Sequence, residues 1–244
     1  MAKPQAWLSG LVCLAGLIWA NGASAQSPAP FKVVPVSPDK MDKVKAAAAV
    51  PLQDIPERYR EAVKTTIEKP ALFTQGPVET FACAPKVYYW LLQHPDRGVV
   101  AWRRLGAQCV MINERGPGRF GWTDEHGSDL QWDTIYESKD QHIWFAEGKV
   151  RPAPMMPLVP VKALVSLHFN EDSGAGGVAV MQQQADMFLY TDSIGAALAA
   201  KLVGAAAPKM AEQCVSQMQM FFSGLAWYVN RYPERAAVLF REEK

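Results

Sequence analysis

Residues 208–230 read PKMAEQCVSQMQMFFSGLAWYVN. Pro208 suits the first turn of a helix, where its missing N–H is not needed. Met210, Cys214, Met218, Phe221, Leu225 and Val229 recur three or four residues apart, which places them on one helical face. Phe222, Ala226 and Trp227 widen that face. A helix this apolar must lie on something large. A shorter helix is expected just upstream over Ser193–Val203, stopped by Gly204. What precedes it reads as strand, so the long helix is expected to lie across a sheet.

Working back, Val178–Thr191 reads as the last and longest strand. A glycine-rich loop, Glu171–Gly177, joins it to Val161–Phe169, in which Val161, Ala163, Val165, Leu167 and Phe169 point one way. Gln141–Val150, Asp129–Ser138, Arg119–Thr123 and Gln108–Glu114 complete a run of six strands separated by turns at Lys139-Asp140, Asp124–Gly127 and Arg115–Gly118. Such short turns imply an antiparallel meander, because parallel neighbours need long crossovers. Before it, Pro77–Cys83 reads as a first strand. Two short helices follow, with Val87, Trp90, Leu91 and His94 on one and Val99, Val100, Trp102 and Leu105 on the other, ending at Gly106.

The N-terminus has a different character. Lys3 is the only charge in the first 25 residues, Trp7–Ala20 is small and apolar, and Ala23-Ser24-Ala25 has the spacing a signal peptidase reads. Residues 1–25 are therefore read as a signal peptide cleaved near Ala25, with an uncleaved anchor as the alternative; an exported protein, periplasmic or extracellular, is expected. Removing 25 of the 244 residues leaves 219, one generous domain. Residues 26–54 hold Ser27-Pro28-Ala29-Pro30 and Val34-Pro35-Val36-Ser37-Pro38 and read as an extended linker. Residues 55–76 read as an N-terminal helical arm, with Tyr59, Val63 and Ile67 four apart and Pro70 as the stop. Lys3 is one of the 25 Lys and Arg; without it, 24 basic residues balance 24 acidic ones, and no basic stripe suggests nucleic acid. Cys83, Cys109 and Cys214 remain after cleavage, an odd number, so at least one thiol is unpaired. Cys83 and Cys109 flank the paired helices and are placed for a disulfide if their strands meet.

Strand, two short helices, a six-stranded meander and a long C-terminal helix: this order resembles the helix-grip fold of the START-like superfamily, which includes polyketide cyclases and pollen-allergen proteins. The resemblance is one of topology and covers Pro77–Asn230, from the opening at Cys83, Trp90 and Gly106 to the gripping helix Pro208–Asn230, within a domain read as residues 77–240. It implies an α+β fold in which a curved antiparallel sheet of about seven strands is gripped by the C-terminal helix. It also implies a gap between sheet and helix that holds a lipid-like guest. The candidate walls are Trp122, Trp132, Trp144, Val165, Leu167, Met187, Met218, Phe221 and Leu225, residues equally suited to filling a core. The strand parity at Trp144 leaves open whether it faces outward.

Chemistry is sparse. Glu147, His168 and Asp186 lie in expected strands and are candidates for a polar patch, with Gln182-Gln183-Gln184 beside Asp186. His94, His126, His142 and His168 are dispersed, and no cysteine–histidine spacing suggests zinc. No GxSxG, HExxH, phosphate-cradling or dinucleotide motif occurs, so no catalytic residue, cofactor or metal is assigned. Met155 and Met156, in the proline-rich connection Arg151–Pro160, are candidates for transient membrane contact. Three functions compete: an exported module that binds or transfers a hydrophobic small molecule, a cyclase- or hydrolase-like enzyme using Glu147, His168 or Asp186, and a ligand-free envelope interaction domain.

Overall fold

The computed structural model describes residues 31–37, 40–151, 157–191 and 207–241. In chain order these form β1 (Phe31–Val34), α1 (Lys43–Ala48), α2 (Glu57–Glu68), β2 (Leu72–Gln75), β3 (Val78–Ala82), α3 (Pro85–Gln93) and α4 (Pro95–Arg104). There follow β4 (Asn113–Gly116), β5 (Arg119–Thr123), β6 (Asp129–Glu137), β7 (Gln141–Val150), β8 (Val159–Ser173), β9 (Ala179–Thr191), α5 (Ala207–Arg231) and α6 (Pro233–Leu239). The strands make one sheet in the order β1-β3-β9-β8-β7-β6-β5-β4, with β2 sharing the β3 edge of β9, and all pairings are antiparallel. The fold is α+β, a large antiparallel sheet with the C-terminal helix packed on it, as the sequence leads one to expect.

Strand alternation assigns the two faces. Phe81, Trp144, Leu167, Phe169, Met181 and Ala185 join a core with α3, α4 and α5. On the opposite face Ile143, Phe145, Leu164 and Phe188 meet α1, α2 and the connection between them through Ala46, Val63, Ile67 and Ile55. The sheet is thus covered on both sides, with helices α3–α6 forming one layer and the N-terminal segment the other.

The strand count is the first difference from expectation. The described residues hold nine strands, because β1 and β2, four residues each, lie in segments read as linker and arm. A four-residue strand leaves too little periodicity to read; it is held by its partner. Phe31 shows how: its ring lies 6.1 Å from Phe81 and 6.2 Å from Trp227. The segment read as an extended linker therefore contributes an edge strand, and also α1, where the Asp42 carboxylate accepts from Lys45 N–H at 3.0 Å. β4 is shorter and later than the expected Gln108–Glu114, pairing with β5 only over Asn113–Gly116 and with a register shift. Cys83 and Cys214 are free thiols, so the Cys83–Cys109 pairing is absent. Cys83 is buried in the core, where desolvation, followed by the charge of Glu171, pushes its thiol up to about 12. Ser193–Val203, Met155, Met156 and residues 1–25 lie outside the described residues.

Helix α5 approaches its neighbours closely at two glycines. A Cβ on Gly98 of α4 would stand 2.9 Å from Phe221 Cζ, and one on Gly76 would collide with Gln219 Oε1. Phe221 cannot yield easily, being buried and set edge-on to Phe222 at 5.0 Å. Gly98→Val is therefore expected to destabilise the fold by about 2 kcal/mol through overpacking, read as a lower urea midpoint with an unchanged m-value.

Candidate functional site

Beneath α5 lies a buried polar network. Glu79 on β3 stands opposite Gln183 on β9, and both are 1% exposed. Glu79 Oε2 accepts from Gln183 Nε2 at 2.6 Å and from Ser223 Oγ at 2.6 Å. The second Gln183 amide hydrogen goes to the Gln219 backbone carbonyl at 2.9 Å, and Gln183 Oε1 accepts from the Tyr88 hydroxyl at 2.5 Å. Gln219 in turn accepts from Ala185 N–H at 3.2 Å and donates to Pro77 O at 2.8 Å. Gln219 and Ser223 are four apart, so they form one stripe on the helix face that meets the sheet. Desolvation raises the Glu79 carboxyl above its ordinary value, and the donors Ser223 and Gln183 oppose that rise. Desolvation also pushes the Tyr88 hydroxyl well up.

The apolar candidates surround this network unevenly. Trp144, Leu167, Phe221 and Leu225 are fully within the α5 core, and Trp132, Val165, Met187 and Met218 pack against it half-buried. Trp144 faces the helix, its ring stacked on Phe222 at 5.5 Å and 9°. Trp122 is half-buried, opposite Leu130, and stands outside the cluster. Glu79 itself is sealed, while Leu72, Leu189 and Ala163, which form the row beside that of Met187, are half-buried as well.

Three polar atoms on this same face are buried without a hydrogen-bond partner among the described residues: Trp144 Nε1, His142 Nδ1 and Thr74 Oγ1. His142 is 1% exposed, its Nε2 lies 3.2 Å from Thr134 Oγ1, and its ring centroid is 4.5 Å from that of Trp144. Desolvation lowers its pKa from 6.5 to about 4, so the imidazole is neutral at pH 7.

The polar candidates Glu147, His168 and Asp186 stand on the other face of the sheet, because they alternate with the residues that meet α5. His168 and Asp186 are brought together: His168 Nε2 lies 3.4 Å from Asp186 Oδ2 and 3.1 Å from Ser166 Oγ. Gln75 donates to Asp186 Oδ1 at 2.7 Å, and Gln141 donates to Ser166 Oγ at 2.9 Å. A Ser-His-Asp relay needs the serine on one ring nitrogen and the aspartate on the other. Here both converge on Nε2, and Ser166 is fully buried. Glu147 is exposed, in a shallow groove of about 380 Å³ with Lys149, Lys162 and Tyr190. It does not join the other two. Among the described residues no three His, Cys, Asp or Glu side chains gather as metal ligands.

The sequence reading passed over Glu79, Tyr88, Gln219, Ser223 and Thr74. One signal was available: Glu79 shares the side of Phe81 on its strand, which places a carboxylate inward. Gln219 and Ser223 carry a weaker one, since they sit between apolar helix positions.

No family model matches the chain, and no curated protein matches it. Weak likenesses to solved structures are found. A conserved protein from Geobacillus kaustophilus is 10% identical, with 63% of this chain and 96% of that one covered at a TM-score of 0.41. The di-domain ARO/CYC protein BexL of the BE-7585A biosynthetic pathway is 16% identical, covering 86% of this chain and 74% of that one at 0.38. The di-domain ARO/CYC protein StfQ of the steffimycin pathway is 14% identical, covering 73% and 56% at 0.31. At these values the likenesses carry no argument about ligand or activity.

Glu79 and His142 give stability opposite pH dependences. Glu79 is raised, so its contribution is fully present below 4.5 and lost as pH rises through its folded pKa. His142 is lowered, so its contribution is present above 6.5 and lost as pH falls toward about 4. In urea midpoints measured across this range, Glu79→Gln should remove the loss on the alkaline side, its amide oxygen still accepting from Ser223 and Gln183. His142→Phe should remove the loss on the acid side.

Proposed function

We propose that the protein binds a hydrophobic small molecule between its sheet and α5, and that it does so after export. The observation that carries this reading is the uneven closure of the core. Trp132, Val165 and Met187 of the sheet and Met218 of the helix pack against the shared core yet stay half-buried, while Glu79 and Gln183 are sealed. Packed interiors close to crystal density. An apolar surface left part-open against a closed core is the kind of surface that binding sites offer. Two methionines in that wall suit guests of irregular shape. The export reading rests on residues 1–25. Transient membrane contact through Met155 and Met156 would place delivery at the connection between β7 and β8. No described helix is long and apolar enough to cross a membrane.

A hydrolase or cyclase role for Glu147, His168 or Asp186 has less support. Those groups face away from α5, and the pair that meets surrounds a serine closed to substrate. Native mass spectrometry of the protein purified from its host without organic solvent tests the binding reading. One apolar passenger per chain, removed by organic extraction, is expected. After extraction, N-phenyl-1-naphthylamine should bind with enhanced fluorescence. Met187→Trp, which fills the open end, should weaken that binding by about tenfold. A chain that carries no passenger and leaves the dye dark would sink the proposal.

A further inference from the structure

The three unpartnered atoms share a geometry. Register places Trp144 opposite Val165, Val165 opposite Met187, and Met187 opposite Thr74, so the four residues form one row across β7, β8, β9 and β2. His142 sits beside Trp144, two residues back on the same face. The row therefore has an indole N–H and an imidazole nitrogen at one end and a hydroxyl at the other. Between these ends lie only the half-buried side chains of Val165 and Met187. Three strand spacings separate the two ends by about 14 Å. A buried polar atom without a partner costs about 1–3 kcal/mol, and three in one functional layer call for an explanation.

We infer that this row is a ruler for the guest: it selects an apolar molecule that carries a neutral oxygen function at each end, about 14 Å apart. The inference rests on the binding reading above and adds the chemistry of its ligand. At the Trp144 end a hydroxyl serves both groups, its oxygen accepting from Nε1–H and its proton going to His142 Nδ1. With the other imidazole tautomer, a carbonyl oxygen accepts from both. At the far end the Thr74 hydroxyl donates or accepts. Neither this row nor its neighbour through His142, Leu167 and Ala185 holds a lysine or arginine. A carboxylate would thus be buried against uncharged donors, which disfavours it.

The test uses four chains of equal length: decane, 1-decanol, 1,10-decanediol, whose hydroxyls span a comparable distance, and 1,10-decanedioic acid. The readouts are displacement of bound N-phenyl-1-naphthylamine and the Trp144 indole resonance in ¹⁵N–¹H spectra, assigned with Trp144→Phe. Each added hydroxyl is expected to tighten binding about fivefold, and the diacid to bind more weakly than the diol at neutral pH. The diol should move the Trp144 resonance downfield. Thr74→Val should make diol and mono-alcohol bind alike and should raise the thermal midpoint of the empty protein, since an unpartnered hydroxyl is removed. Equal displacement by decane and the diol, or an indole resonance unmoved by a bound diol, overturns the ruler and leaves the binding reading standing; in the second case the atoms are satisfied by water. Failure of all four chains and of the dye removes the binding reading itself.

Discussion

A carboxylate taken out of water must find donors or take up a proton, and Glu79 is placed where both pressures act. Its donors come from two elements far apart in the chain, Gln183 on β9 and Ser223 on α5. The network can be satisfied only with the helix at one height and one rotation over the sheet. Gln219, one turn earlier, reads the backbone at Pro77 and Ala185 and adds a second constraint on the same helix. Apolar packing alone is tolerant of sliding; a directional network in low dielectric is not. The closed half of the core, Trp144 on Phe222 and Phe221 against Gly98, follows from that placement. The half-buried side chains of Met187 and Met218 lie beside the second constraint, at Ala185 and Gln219.

The second face gives the sheet its stability without competing for that space. β2 and α2 bring Phe73, Val63 and Ile67 against Phe188, Phe145 and Leu164. The cluster of Ser166, His168, Asp186, Gln75 and Gln141 ties β7, β8, β9 and β2 together, and Gln141 also donates to the Ala49 carbonyl at 3.2 Å. Its shape is that of a brace. Each buried polar atom in it has a partner among its neighbours, and its one part-exposed ring nitrogen contact is shared by two residues. The α5 face differs: there Trp144 Nε1, His142 Nδ1 and Thr74 Oγ1 are buried without a partner among the described residues.

Much of this was legible in residue order. The 3.6-residue rhythm of Met210 to Val229 announces a long helix with one apolar face, and short turns between alternating runs announce an antiparallel sheet. The paired helices between Cys83 and Gly106 follow from Pro85, Pro95 and the stop at Gly106. What residue order left open was short or faced two ways. β1 and β2 have four residues each and exist by virtue of their partners. Glu147, His168 and Asp186 carry the right chemistry in strands of correct extent, but a period of two offers two faces, and which one meets α5 depends on elements far along the chain. Trp144 showed the same ambiguity and resolved inward.

By itself the sequence determined the class of fold, the extents of its main elements and the absence of any familiar catalytic motif, because these depend on local periodicity and on residue types at fixed spacing. Tertiary structure alone decided that Glu79, Gln183, Gln219 and Ser223 form one network, and that Trp144, His142 and Thr74 share one face. Those groupings depend on strand register and on helix rotation. Both are settled by the joint burial of side chains from β2, β3, β7, β9 and α5, and no single stretch of the chain records that sum.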